Sequence, residues 1–339
     1  MRIVVDAMGT DTHPQADVAG SVLAAREFGD TIILVGDEQR IRAELAKHTT
    51  DGLSIEVVHA PESIAMDDKP NEIIRGKPES SVHIGIDLVK QGKADAFVSA
   101  GNTGATLAVS MFRLRRIKNV KRPALSAVGR LVGNLVTVLD IGANTDTKLE
   151  WLQQFALMGN LYAKHTLGVH NPRIGLLSNG EEDGKGDELV REANQAFRQM
   201  PFNFIGNVEP GDLFTGKVDV IVTDGYVGNI LLKTYEAAIK TVGEQLRQQL
   251  TQNIRAKAGA ALVKPYLKDM VTQLDPTQYG GAPLLGVNGV VIVTHGGSNA
   301  TVIKDSIGQA RRAVSSNVIE TIRSGLLELS QAEDAPVQS

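Results

Sequence analysis

The chain has 339 residues, 42% of them hydrophobic and 22% charged, ordinary values for a folded globular protein with one large α/β core or two lobes. It holds 39 acidic and 35 basic side chains, a net charge of −4, which supplies no general attraction to nucleic acid. Cysteine is absent, so disulfides, thiolate metal sites and a cysteine nucleophile are excluded.

The first residues, Met1-Arg2-Ile3-Val4-Val5-Asp6, predict a strand rather than a leader peptide. No apolar run approaches the roughly 20 residues that span a bilayer. β-Branched runs predict strands at 3–5, 31–35 and 55–58, with amphipathic helices at 18–28 and 38–47 between them. A helix at 82–91 leads to a strand at 96–99. Further on, strands are predicted at 135–140, 173–177 and 218–223, with helices at 148–165 and 188–199. Short apolar strands alternating with helices predict a three-layer α/β/α fold around a mostly parallel sheet.

From Ile230 the pattern changes. Leu231, Tyr235, Ile239, Val242, Leu246, Leu250 and Ile254 recur at helical spacing, and a second helical stretch at 260–274 is interrupted by Pro265. This predicts a protruding helical hairpin at about 230–275. The chain then returns through a strand at 289–294 and one closing helix bearing Ile303 through Leu326. The expected body is 1–330, followed by a polar tail at 331–339.

Several predicted strands end in small, polar, glycine-rich turns, where open α/β sheets collect ligands. Ser99-Ala100-Gly101-Asn102-Thr103-Gly104-Ala105 follows a strand and opens a helix, so free N–H groups there can hold an anion. A plain strand-to-helix turn explains the same residues. Asp140-Ile141-Gly142-Ala143-Asn144 repeats the design, with Asp140 suited to ordering the loop. Neither turn has dinucleotide-fingerprint or Walker spacing. In Ser178-Asn179-Gly180-Glu181-Glu182-Asp183-Gly184-Lys185-Gly186, Lys185 is a candidate for charge stabilisation. The acids there read as a solvated loop or a hard-cation site. Asp224-Gly225-Tyr226-Val227-Gly228-Asn229 lies where a strand meets the long helix. Tyr279 to Gly286 reads as a loop walling an apolar or extended ligand. His295 ends the last strand, and Arg113 to Arg122 carries six basic residues in ten.

Taken in order, these pieces resemble the phosphate acyltransferase family of bacterial phospholipid synthesis. The matching segments are Val5 to Gly9, 99–105, 140–144, 177–186, Gly206-Asn207-Val208-Glu209, 224–229 and 279–286, which together cover nearly the whole chain. Thr10 stands where the family usually has a second glycine, and Pro210-Gly211-Asp212 follows the 206–209 segment. The resemblance implies a homodimer with a fold similar to isocitrate and isopropylmalate dehydrogenases and phosphotransacetylases. It implies conversion of long-chain acyl-acyl-carrier protein and inorganic phosphate to acyl phosphate and free carrier, with no cofactor or metal. The product would feed a membrane glycerol-phosphate acyltransferase on the way to phosphatidic acid. A cytoplasmic protein touching the inner membrane surface is expected.

Phosphate is itself a nucleophile, so such a reaction needs alignment and oxyanion stabilisation rather than a covalent intermediate. Gly101, Asn102, Thr103 and Gly104 are the expected phosphate ligands. Asn144, Asn179, Lys185 and His295 are the candidates for catalysis, and Asp6, Asn229, Gly280 and Gly281 for substrate loops. Ile254, Leu262 and Val263 mark the hairpin tip, as a membrane contact or as packing against a dimer mate. Arg113, Arg115, Arg116 and Lys118 form a candidate docking face for an acidic carrier protein. A coenzyme A-dependent phosphotransacetylase and a membrane-surface scaffold without catalysis are the rival readings, separated by the acyl donor and by the polar turns a scaffold would not need.

Overall fold

The computed structural model describes residues 1–274 and 279–333. Its elements in chain order are β1 (Arg2–Asp6), α1 (Gln15–Phe28), β2 (Thr31–Gly36), α2 (Glu38–Leu45), β3 (Ile55–His59), α3 (Pro70–Gly76), α4 (Ser81–Lys90), β4 (Ala96–Ser99), α5 (Thr103–Arg113), β5 (Ala124–Leu131) and β6 (Asn134–Leu139). There follow α6 (Leu149–His165), β7 (Arg173–Leu177), α7 (Glu188–Phe197), β8 (Asn203–Val208), a 3-10 turn (Pro210–Phe214), β9 (Val220–Val222), α8 (Gly225–Thr251), α9 (Ile254–Leu274), β10 (Ala282–Leu285), β11 (Val290–Val293), α10 (Ala300–Ser315) and α11 (Val318–Glu333).

Several helices open on a side chain that caps them, and α2, α5 and α8 do so close behind a strand. Asp37, Ser80, Asn102, Asp187, Asp224 and Asn299 each accept a main-chain N–H of the helix they open. Gly29 ends α1 in the left-handed conformation, its N–H donating to the Ala25 carbonyl.

The eleven strands form one sheet in the order β3-β2-β1-β4-β11-β10-β5-β6-β9-β7-β8. The first five are mutually parallel, and so are the last four. The two sets run in opposite directions, because the joining pairs β11–β10, β10–β5 and β5–β6 are all antiparallel. Apolar side chains cover both faces. One buried cluster packs under α1, α6, α7, α10 and α11, and the other under α3, α4, α5 and α8. This is the expected three-layer α/β/α arrangement with a mostly parallel sheet.

The reversal changes where the polar strand ends lie. The turns at 6–13, 99–105 and 294–298 belong to one parallel set, whereas those at 140–144, 178–186 and 224–229 belong to the other. They do not share one sheet edge. Residues 282–285 are not loop but the strand β10 that joins the two sets. Strands β5 and β8 and the short helix α3 also escape the periodicity reading. The closing helix is two helices, broken at Asn317, whose φ is +51°.

The long helix begins at Gly225, five residues before the apolar repeat, because Asp224 accepts from the N–H groups of Tyr226 and Val227. Pro265 lies inside α9 without ending it. The helix continues through a proline that leaves the Ala261 carbonyl without its usual N–H donor. At the tip Ile254 is 85% exposed and Leu262 79%. Among the described residues no helix is long and apolar enough to cross a membrane. The tail expected at 331–339 begins as the last turn of α11, and residues 334–339 lie outside the described residues.

Candidate active site

Three loops of the first parallel set are locked together. Registers Val5↔Val98 and Val293↔Ser99 place the ends of β1, β4 and β11 side by side. Asp6 is buried. It accepts from the Met8 N–H at 3.0 Å and from the Ser99 hydroxyl at 2.8 Å, and the Ser99 oxygen in turn accepts from the Gly101 N–H. Burial pushes the Asp6 carboxyl above the usual carboxylate range, opposed by its hydrogen bonds from Ser81, Ser99 and Met8. Gly9 must lack a side chain, since a Cβ there would lie 2.8 Å from the Gly101 nitrogen. The Asp11 N–H donates to the Gly296 carbonyl at 2.8 Å, adding the third loop.

On this base sits the start of α5. The Asn102 oxygen accepts from Ala105 N–H, and its amide nitrogen is within reach of the Ala65, Met66 and Asp68 carbonyls. The Asn102 side chain therefore fixes the turn and the 65–68 segment beside it. Thr103 and Gly104 carry N–H groups that precede the first intrahelical bond, where the positive end of the helix dipole favours an anion.

The second set is organised by Asp140, which is fully buried. Its carboxylate accepts from the N–H groups of Leu125, Gly142, Ala143 and Asn144 and from the Asn144 amide. Burial pushes this carboxyl up, opposed by the hydrogen bonds from Ala143, the Asn144 amide, Leu125 and Gly142. The Asn144 amide also donates to the Pro123 carbonyl at 2.8 Å. Asn144 is thus held internally and ties the loop to β5. The start of α8 packs on the same loop: Gly225 N–H donates to the Asn144 carbonyl at 2.8 Å.

Between α5 and α8, over the joining strands, lies a cleft of about 400 Å³. Thr103, Gly104 and Leu107 form its α5 wall, and Asn229, Leu232, Lys233 and Glu236 its α8 wall. Leu125, Ala127, Ile141 and Ala282 contribute to its floor, and Gly280, Gly281 and His295 to its rim. The Asn229 amide stands over Gly142, whose φ of +137° and lack of a side chain make room for it. Gly281 is equally constrained, because a Cβ would lie 2.5 Å from the Val293 carbonyl. His295 Nδ1 accepts from the Gly297 N–H at 3.0 Å, so in the neutral ring the proton sits on Nε2 and can be donated.

The cleft brings together six residues singled out in the sequence, Thr103, Gly104, Asn229, Gly280, Gly281 and His295. Gly101, Asn102 and Asp6 lie just behind the α5 wall as its support. Asn179 and Lys185 are not among the lining residues. Asn179 accepts from the Gly186 N–H at 2.9 Å, and the Lys185 stem packs on Gly180. Their loop is braced by Asn207, which donates to the Glu182 carbonyl and accepts from Asn194. The sequence reading missed Lys233, 4.0 Å from Glu236. Asn229, Leu232, Lys233 and Glu236 follow one another at helical spacing, so the signal was present once the helix is started at Asp224.

The basic run lies at the far end of α5. Arg113 pairs with Asp87 at 3.4 Å, Arg116 donates to the Lys121 carbonyl, and Arg122 stacks on Trp151 at 4.9 Å. Arg115 and Lys118 are exposed and have no ion pair among the described residues. Among those residues, too, no three His, Asp or Glu side chains are grouped to hold a metal.

The family model described as fatty acid synthesis protein matches residues 1–321. The chain belongs to that family. A phosphate acyltransferase of Geobacter sulfurreducens is 46% identical over 339 residues, 99% of this chain and 98% of the relative. A solved phosphotransacetylase from Streptococcus pyogenes superposes with a TM-score of 0.60 over 94% of each chain, at 18% identity. A 4-hydroxythreonine-4-phosphate dehydrogenase from Klebsiella pneumoniae gives 0.52 over 93% of this chain and 99% of its own, at 15% identity. At that identity the two structures speak for the fold alone, which is the one the resemblance implied.

Proposed function

We propose that the chain is a phosphate acyltransferase that moves a long-chain acyl group from acyl-carrier protein to inorganic phosphate. The observation that carries this reading is the cleft itself. A helix start with free N–H groups faces a lysine and an asparagine across an otherwise apolar floor. Thr103 and Gly104 would hold phosphate, and Lys233 would balance its charge. A phosphate oxygen then attacks the thioester carbon, and the carbonyl oxygen takes up negative charge. His295 Nε2–H and the Asn229 amide are the donors placed to receive that charge. The C–S bond breaks as the intermediate collapses, and the carrier sulfur leaves as thiolate and takes up a proton. Lys185 and Asn179 remain candidates for a contact made when their loop meets the substrate.

The same reading extends to partners. Arg115 and Lys118 would attract the acidic carrier, the exposed apolar tip of α9 would touch the inner membrane surface, and two chains would form a homodimer. The acyl phosphate would pass to a membrane glycerol-phosphate acyltransferase for phosphatidic acid synthesis. The test mixes purified protein with long-chain acyl-carrier protein and phosphate and traps acyl phosphate with hydroxylamine. Phosphate-dependent product supports the reading. Product from acetyl-coenzyme A alone replaces it with a phosphotransacetylase, and no product from either donor removes the enzyme reading.

A further inference from the structure

The loop that follows α5 borders a second hollow. It has a volume of about 480 Å³ and lies between residues 116–121, α6 and α11. Thr103 of the cleft wall opens α5 and this loop follows its end, so the 11 residues of the helix, spanning about 16 Å, separate the two places. Arg115 and Lys118 do not line the hollow. Gln154 holds the loop down. Its side-chain oxygen accepts from the Lys121 N–H at 2.8 Å, and its amide nitrogen donates to the Asn119 carbonyl at 3.0 Å. Arg116 closes the loop by donating to the Lys121 carbonyl through Nη1. These bonds use the main chain of residues 119 and 121 and leave their side chains over. The Asn119 and Gln153 amides line the hollow without a hydrogen-bond partner among the described residues, and Arg116 Nε and Nη2 are equally unspent there. Lys121 Nζ stands 4.0 Å from Glu150 Oε2, with both side chains more than half exposed, and a pair so open to water holds weakly. The base is different in kind: Val120 and Leu326 are buried and Leu329 is half-buried.

We infer that this hollow is a binding site for a small amphiphilic anion, a phosphate monoester carrying a short apolar group. Two cations and two unspent amides offer donors to the several oxygens of such a head, and a guanidinium can grip it through two nitrogens at once. Glu150 is the single acid among the lining residues, so two cations stand against one carboxylate. The aliphatic base takes the apolar group, whose burial adds affinity that inorganic phosphate lacks. The volume is in the range of small-molecule sites. None of this depends on the proposed acyl transfer.

Trp151, the one tryptophan in the chain, reports on the hollow, because its Nε1 donates to Glu150 Oε1 at 3.2 Å. The test titrates hexyl phosphate into the full chain and follows Trp151 emission, with inorganic phosphate and hexanol as separate titrants. Hexyl phosphate should give a saturable change and bind about tenfold or more tightly than either part alone. Lys121→Gln removes a cation and Gln153→Glu adds an acid, while both leave the Gln154 and Arg116 bonds to the loop in place. Each should weaken hexyl phosphate about tenfold. Lys233→Met, a change in the cleft, should leave its affinity as it was. A titration without a saturable change would overturn the inference, and so would equal affinity for hexyl phosphate and inorganic phosphate. An affinity that neither hollow variant moves would do the same, as would one lost with Lys233→Met, which would put the ligand in the cleft.

Discussion

Gly228 lies so close to the main-chain oxygen of Asp140 that a β-carbon at residue 228 would stand 1.9 Å from it. One turn earlier, a β-carbon at Gly225 would stand 2.5 Å from the Asn144 carbonyl. The two glycines let the first turn of α8 lie directly on the Asp140 loop, and this contact fixes where Asn229 and Lys233 face.

Gly228→Ala should therefore damage both stability and the site. Overpacking against backbone that cannot yield costs about 1–3 kcal/mol. Calorimetry should show a lowered melting temperature, and the acyl phosphate assay a lower kcat. Gly243→Ala, on an open stretch of the same helix, serves as the control. Equal melting temperatures for the two variants would contradict the close contact.

The lysines separate two versions of the site. Lys233→Met should raise KM for phosphate and lower kcat/KM by about a hundredfold, the loss typical of one well-placed charged donor. His295→Ala should act mainly on kcat. Lys185→Ala, measured beside them, should fall less than Lys233→Met, since Lys185 does not line the cleft. The opposite order would move the phosphate toward the 178–186 loop.

Asp17 gives a pH prediction. It is buried in the first turn of α1 and accepts from the Thr10 hydroxyl at 2.6 Å, while its other oxygen has no partner among the described residues. Burial pushes its carboxyl up to about 7. The folded protein then keeps a proton that the unfolded chain releases near pH 4, so this contribution is full below about pH 4 and is lost as the pH rises to about 7. Over that range it is on the order of 4 kcal/mol. Asp17→Asn should flatten the fall in stability between about pH 4 and 7, followed by denaturant unfolding. Parallel curves for the two proteins would show that Asp17 does not titrate in this way.

The α9 tip makes a separable claim. Leu262→Asp with Val263→Asp should abolish flotation with vesicles containing anionic lipid while acyl transfer in solution continues. Retained flotation would place any membrane contact elsewhere, and a change from dimer to monomer on sizing would make the tip a subunit contact.

Much of this was legible in the chain. Strand and helix periodicity follow from local geometry, so β1, β2, β4, β7, α6 and the long helical excursion could be read directly. The caps Asn102 and Asp224 and the turn around Asp140 carry their chemistry in short segments. What escaped were elements without a period of their own. β10 has only four residues, preceded by glycines, and becomes a strand because β11 and β5 flank it. The role of Asn144 was equally hidden, because its partner Pro123 lies 21 residues away.

The sequence by itself determined the alternating α/β pattern, the family and the polar turns, because each is written in neighbouring residues. Only the tertiary structure decided which turns meet. Three antiparallel pairings in mid-sheet reverse the second set of strands, so the cleft forms between α5 and α8 rather than along one common edge. That reversal brings Lys233 opposite Thr103 and leaves Lys185 outside the cleft lining, an outcome set by pairing between distant strands that no local pattern encodes.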